Sequence, residues 1–227
     1  MPMRPIQIGV LVPWVNTAME EELPSLVSPQ IGLHWARLRP AVLPRDGHDT
    51  SYLDGMRDAL LSAVSGFDGL FLDGLVIGCT SLSVACTEPA ISKLTAMGRP
   101  LPVITAFSAI LARLEKVRAS RILLLAPYDS QTLEKEANLL EACGYTVVKR
   151  VQLGYEKEIR FIETDYLCEE FMQHYSTGLD CAVFSCTGLY TVEAINRLTI
   201  LLDNHCVLIS SNTAIAAMLN DMDGLAN

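Results

Sequence analysis

Two stretches about a hundred residues apart decide the reading of this chain: Ile77-Gly78-Cys79-Thr80-Ser81-Leu82 and Phe184-Ser185-Cys186-Thr187-Gly188-Leu189. Each ends an apolar run of strand length with a Cys-Thr pair, and the surroundings of each repeat as well. Ile8-Gly9-Val10-Leu11-Val12-Pro13 is echoed by Ile122-Leu123-Leu124-Leu125-Ala126-Pro127, and Val103-Ile104-Thr105-Ala106 by Leu208-Ile209-Ser210-Ser211. The order is kept and the spacing nearly so, which marks an internal duplication rather than chance likeness between α/β segments.

On either side of these stretches, apolar strand-length runs alternate with helical spacing. Ile6–Val12, Ile31–Leu38, Gly69–Ile77 and Leu101–Ile104 read as strands; Thr17–Leu26, Asp54–Val64 and Ser108–Val117 read as helices. The alternation predicts an α/β fold of two pseudo-symmetric α/β/α lobes with mainly parallel sheets. The expected lobes are residues 1–104 with 211–227, and residues 105–210. Ligands of open parallel sheets bind outside the carboxyl ends of the strands. Both Cys-Thr pairs and both proline turns fall there, so the expected active site is the cleft between the lobes.

Composition removes several function classes. Half the residues are hydrophobic and 19% are charged, the make-up of a globular chain. The balance of 17 basic and 26 acidic groups gives a net charge of -9, and the longest basic cluster is Lys149-Arg150, so no nucleic-acid partner is expected. No apolar run is long enough to span a membrane, and Met1–Pro5 carries no signal-like core, so a cytoplasmic location is expected. Seven cysteines without Cys-x-x-Cys spacing fit free thiols better than a disulfide framework. Cys181 and Cys186 would face opposite sides of one strand, so no metal site is expected. Gly-x-Ser-x-Gly, Gly-x-Gly-x-x-Gly and a phosphate-binding loop are all absent.

The candidate chemistry therefore rests on the two thiols. A cysteine at a helix start meets free backbone N–H groups, which lower a thiol's pKa and also hold a carboxylate. Thr80 and Ser81 add hydroxyl donors beside Cys79. Thr187 does so beside Cys186, and Gly188 allows close approach of a ligand. Two opposed thiols suit proton transfer on both faces of a planar intermediate, or thiolate addition to an activated double bond followed by rotation and elimination. No Lys or Arg lies in these motifs, so an anion would be held by neutral donors. Asn16 belongs to that donor set and Pro13 is a substrate-binding candidate in the same turn, although Asn16, with Thr17, also has the pattern of a helix cap. Tyr128, after the matching second-lobe proline, offers a phenol or simply packs. Trp14 either packs beneath its turn or shapes the cleft. Glu20-Glu21-Glu22 reads as a favourable acidic first turn. His34, His48, His174 and His205 read as surface or structural. So do Cys143, Cys168, Cys181 and Cys206, whereas Cys86 could support Cys79 from behind.

At Val12-Pro13-Trp14-Val15-Asn16-Thr17-Ala18-Met19-Glu20, Gly78-Cys79-Thr80-Ser81-Leu82-Ser83, Ala126-Pro127-Tyr128 and Ser185-Cys186-Thr187-Gly188-Leu189 the chain resembles the aspartate/glutamate racemase superfamily, in its maleate isomerase and arylmalonate decarboxylase branch. Ser210-Ser211-Asn212-Thr213-Ala214 looks like that family's closing strand and helix. The resemblance implies a cofactor-independent isomerase or racemase of a small dicarboxylate, working as a homo-oligomer of two or more chains. Cys79 and Cys186 match its catalytic pair, Asn16 its carboxylate-holding asparagine and Tyr128 its tyrosine. The alternative is a decarboxylase of malonates with Cys186 as proton donor. Arylmalonate decarboxylases carry glycine where this chain has Cys79, which argues against it. Two departures stand out. Trp14-Val15 replaces small polar residues, and Gly154-Tyr155-Glu156-Lys157 lacks the further substrate-binding asparagine. A non-catalytic anion-binding protein is the reading from another class.

Overall fold

In the computed structural model, residues 4–40, 50–85, 101–154, 158–203 and 205–226 are described. The first half runs β1 (Ile6–Pro13), α1 (Ala18–Leu26), β2 (Ile31–Leu38), α2 (Thr50–Ser65), β3 (Gly74–Ile77), α3 (Thr80–Ala85), β4 (Val103–Thr105) and α4 (Ala106–Lys116). The second half runs β5 (Arg121–Ala126), α5 (Ser130–Ala142), β6 (Thr146–Gln152), a single 3-10 turn (Ile159–Phe161), α6 (Thr164–His174), β7 (Cys181–Phe184), α7 (Val192–Leu202), β8 (Val207–Ser210) and α8 (Ser211–Ala226). Each half folds into a four-stranded parallel sheet, ordered β2-β1-β3-β4 in one and β6-β5-β7-β8 in the other. The shared strand order is the structural counterpart of the sequence repeat, and the fold is α/β with two similar lobes.

Helices cover these sheets, so the central strands read as unbroken apolar runs instead of alternating patterns. Every residue of β3 and of β7 is buried. Leu11 and Ile77 in one lobe, and Phe171 and Phe184 in the other, are among the largest fully buried side chains. Each contributes about 2 kcal/mol through its removal from water. Gly78 is needed for a close approach: a Cβ there would lie 2.5 Å from Met19 Sδ.

The strand expected from Gly69 begins only at Gly74. Gly69 takes a φ of +87°, a turn conformation that ends the preceding segment, and Leu70 and Phe71 are exposed. The Asp73 carboxylate then accepts the Gln7 amide at 2.8 Å, aligning β3 beside β1. The helix expected from Ser108 starts two residues earlier. Thr105 Oγ1 accepts the Ser108 amide and Ser108 Oγ accepts the Thr105 amide, both at 3.0 Å, a reciprocal capping box.

The strand registers bring the functional turns to common edges. Leu11 pairs with Ile77 and Ile77 with Thr105, while Leu125 pairs with Phe184 and Phe184 with Ser210. The carboxyl end of the first sheet therefore releases Trp14–Asn16 and Gly78–Cys79, and that of the second releases Pro127–Tyr128, Ser185–Cys186 and Ser211. The terminal helix α8 packs against α1 and α4. Asn220 accepts the Ser28 amide at 2.7 Å and donates to Leu26 O at 2.9 Å, while Lys116 pairs with Asp221 at 2.8 Å. Among the described residues no helix is long and apolar enough to cross a membrane.

Candidate active site

Cys79 leaves β3 as the ladder closes, with the Gly78 amide donating to Leu11 O at 2.8 Å. α3 begins at the next residue, so Cys79 does sit at a helix start. Its carbonyl accepts the Ser83 amide at 3.1 Å, and its Sγ lies 3.5 Å from Ser81 Oγ. The thiol is buried and Ser81 half-buried. Thr80, fully buried, turns its hydroxyl to Ser211 Oγ at 3.0 Å, a bond from the first Cys-Thr turn to the start of α8.

Cys186 occupies the matching strand end, but its surroundings differ. The expected helix start is missing: residues after Cys186 form a turn, and α7 begins only at Val192. Cys186 itself has a φ of +152°, a region rarely used by residues other than glycine. Its amide donates to Ser211 Oγ at 3.1 Å, and its Sγ accepts the Gly188 amide at 3.3 Å. That amide bond lowers the thiol's pKa, but burial outweighs it and pushes Cys186 up to about 12. The lowered pKa expected for this cysteine is thus corrected. Desolvation of a thiolate exceeds what one amide returns where no helix dipole points at the sulfur.

Tyr128 is buried at the turn after β5, held by Asp129, whose carboxylate caps α5 through the Thr132 amide at 2.7 Å. Its phenol is pushed up by burial and then by the charges of Cys186, Glu136 and Cys79, with a hydrogen bond to Thr80 opposing them. Tyr128 therefore lies close enough to both thiols to feel their charge. Pro13 O accepts the Asn16 amide at 2.9 Å, which closes the first-lobe turn. Asn16 Oδ1 accepts the Met19 amide at 3.1 Å, so it does cap α1. Its Nδ2 donates to Thr187 Oγ1 at 3.0 Å, and that hydroxyl donates on to Gly78 O at 2.8 Å. The chain Asn16–Thr187–Gly78 ties the two Cys-Thr turns across the lobes and leaves Asn16 a second amide N–H. Trp14 packs half-buried against the first-lobe core, the packing alternative of its two readings. Arg37 donates to Trp14 O at 2.9 Å and pairs with Glu20, fastening the same turn from outside.

Three residues of this region were not among the site residues expected from the sequence. Glu22 is not part of a solvated first turn. It is buried, and its carboxylate accepts the Thr191 and Val192 amides at 2.6 and 2.8 Å and the Asn212 amide group at 2.8 Å. It thereby caps α7 from the opposite lobe, replacing the missing side-chain cap of Thr191. Glu136, on α5, is fully buried and accepts Ser185 Oγ at 2.6 Å. Ser211 bonds both Thr80 and the Cys186 amide. An acid at the apolar spacing of a helix, beside Met19 and Leu23 or beside Leu133, Ala137 and Leu140, was the only sequence signal available for either glutamate.

The remaining candidates lie elsewhere. His34 bonds Gln7 at 2.7 Å, His174 stands beside Glu170 and His205 is exposed. Cys181 and Cys206 are buried, Cys143 is exposed, and neither a disulfide nor a metal-holding cluster occurs among the described residues. Cys86, His48 and Tyr155-Glu156-Lys157 lie outside the described residues.

No family model and no curated protein sequence matches the chain. Solved structures do. A serine-for-cysteine mutant of Nocardia farcinica maleate cis-trans isomerase, with a covalently bound succinylcysteine intermediate, superposes with a TM-score of 0.83 at 20% identity, over 96% of this chain and 93% of that one. The maleate isomerase of Pseudomonas putida gives 0.82 at 18% identity, over 96% and 93%. An arylmalonate decarboxylase gives 0.74 at 18% identity, over 94% and 92%. The chain shares the two-lobed fold of the maleate isomerases and arylmalonate decarboxylases over nearly its full length.

Proposed function

We propose that this chain is a cofactor-independent isomerase that acts on a small dicarboxylate through Cys79 and Cys186. The observation that carries this reading is that two like sheets bring both Cys-Thr turns together, with Tyr128 close enough to both thiols to feel their charge. Residues 1–104 with 211–227 would then form one lobe and 105–210 the other. The fold shared with maleate isomerases supports the same substrate class.

Neutral donors hold the substrate in this reading: the hydroxyls of Thr80, Ser81 and Tyr128, the second amide N–H of Asn16, and the backbone N–H groups of Thr187 and Gly188, with Pro13 shaping the turn that carries Asn16. Such donors, fixed in advance by their own hydrogen bonds, stabilise charge as it develops on a carboxylate. Cys186 keeps its proton and suits the acid. Cys79, at the start of α3, suits the nucleophile once its proton has gone to solvent. Its thiolate forms a bond to one alkene carbon of a cis-dicarboxylate, and the electron pair displaced takes the Cys186 proton at the other carbon. Rotation about the resulting single bond follows. Cys186 then reclaims a proton as the carbon–sulfur bond breaks, leaving the trans isomer. A cytoplasmic homo-oligomer of two or more chains belongs to the same reading, and sedimentation velocity checks the assembly.

The test is proton NMR of maleate in deuterated water with the purified chain. Growth of the fumarate signal supports the reading. Release of carbon dioxide from arylmalonates, undiminished in Cys79→Ala, would replace it with the decarboxylase reading. A dicarboxylate that binds unchanged would leave an anion-binding protein.

A further inference from the structure

A buried acid stands behind Cys186. α5 points Glu136 inward, fully buried, onto Ser185, the residue bonded to Cys186. One carboxyl oxygen accepts Ser185 Oγ at 2.6 Å, and the other has no hydrogen-bond partner. None of the ion pairs among the described residues includes Glu136. Arg150, on the strand β6 that packs against α5, is taken by Glu134 and Glu141 at 3.2 and 2.8 Å. An ionised carboxylate buried with a single hydrogen bond and no cation is costly, so the resting group is the neutral acid.

The titratable neighbours are few. Tyr128, from the turn after β5, and Cys186, from the turn after β7, both feel the charge of Glu136, and Cys79 reaches the same set. α3 contributes no titratable side chain from Thr80–Ala85, and β6 contributes only the exposed Lys149 and the paired Arg150. Two acids that share such a dry region do not ionise independently, because each negative charge opposes the next.

We propose that Glu136 is a positioning residue for Cys186: it stands neutral behind the thiol, bonded to Ser185, and its ionisation opposes formation of the Cys186 thiolate. Where Glu136 is ionised this holds the proton on Cys186, a consequence for turnover that rests on the role proposed above for Cys186. Burial raises the Glu136 carboxyl to about 7, which places the coupling near neutrality.

The test reads the thiol itself and needs no substrate. Iodoacetamide is neutral, so the thiolate attacks its methylene, a carbon–sulfur bond forms and iodide leaves. The rate at Cys186 is followed from pH 6 to 10 by the mass of its peptide, in the parent and in Glu136→Gln, which keeps the acceptor for Ser185. Expected is the same rate in both below neutrality, and about tenfold faster labelling of Glu136→Gln above it, a displacement of about one pH unit. Infrared spectra should show a protonated carboxyl at about pH 6 that is lost as pH rises and is absent from Glu136→Gln. Superimposable labelling profiles, or no such carboxyl, would overturn the proposal. If the variant does not fold, the parent decides: its logarithmic rate should rise with less than unit slope where the carboxyl band fades, and an unbroken unit slope rejects the coupling. Absence of any turnover of maleate bears on the proposed function and leaves this result standing.

Discussion

The turn after β3 and the turn after β7 begin alike, with a buried strand, a cysteine and a threonine, yet they carry different loads. Cys79 opens a regular helix and lies beside a hydroxyl. Cys186 sits in an unfavourable backbone region, in front of a buried acid, on a segment fastened by a glutamate from the other lobe. Near-symmetry of sequence has produced two thiols of unlike character. The division of roles proposed above, one attacking sulfur and one proton donor, would draw on such a difference in surroundings.

The largest test of this contrast is chemical. Cys79→Ser and Cys186→Ser should each lower kcat for maleate by about a thousandfold or more, measured by NMR. Only Cys186→Ser should leave Cys79 able to form a covalent adduct detectable by mass spectrometry. Adduct formation in neither variant, or equally in both, would remove the division of roles.

Next in size is the fastening of the second turn. Glu22→Ala strands the Thr191 and Val192 amides and takes one of two acceptors from the Asn212 side chain, all buried or nearly so. A loss of about 3 kcal/mol is expected in urea denaturation. Glu20→Ala, which breaks only the exposed pair with Arg37, should cost less than about 1 kcal/mol. Equal losses would mean that Glu22 is ordinary surface.

Glu136 gives a pH signature of similar size. Its carboxyl is raised from an ordinary 4.5 to about 7. Below 4.5 both folded and unfolded chains hold the proton, and no penalty exists. Between 4.5 and 7 the unfolded chain releases it first, so stability falls as pH rises; above 7 the penalty is constant. The fall should be about 3 kcal/mol in the parent and missing in Glu136→Gln, compared by denaturation at pH 4.5 and 7.5.

The smallest effect concerns the backbone. Glycine adopts the Cys186 conformation without strain, whereas Cys79 is not among the residues with positive φ. Cys79→Gly should therefore be about 1 kcal/mol more destabilising than Cys186→Gly, and the reverse order would show that Cys186 is not strained.

Much of this molecule was legible from local pattern. Unbroken apolar runs announced buried parallel strands, the repeat announced two like sheets, and strand-end positions for Cys79 and Cys186 followed from both. Boundaries slipped where a turn decided them, as at Gly69 and Thr105. Asn16 offered two readings, and the structure realises the cap while adding the bond to Thr187. Trp14 packs half-buried against the first-lobe core.

The sequence by itself determined the α/β class, the duplication and the two thiol turns, because strand and helix periods are set within a few residues and a repeat is visible along the chain. Only the tertiary structure decided which thiol is backed by Glu136, that Glu22 caps a helix of the other lobe, and that Ser211 joins both turns. Those contacts pair groups far apart in sequence, and a buried carboxylate and a solvated one are written with the same letter. Their difference is burial and hydrogen bonding, which exist only after the lobes have met.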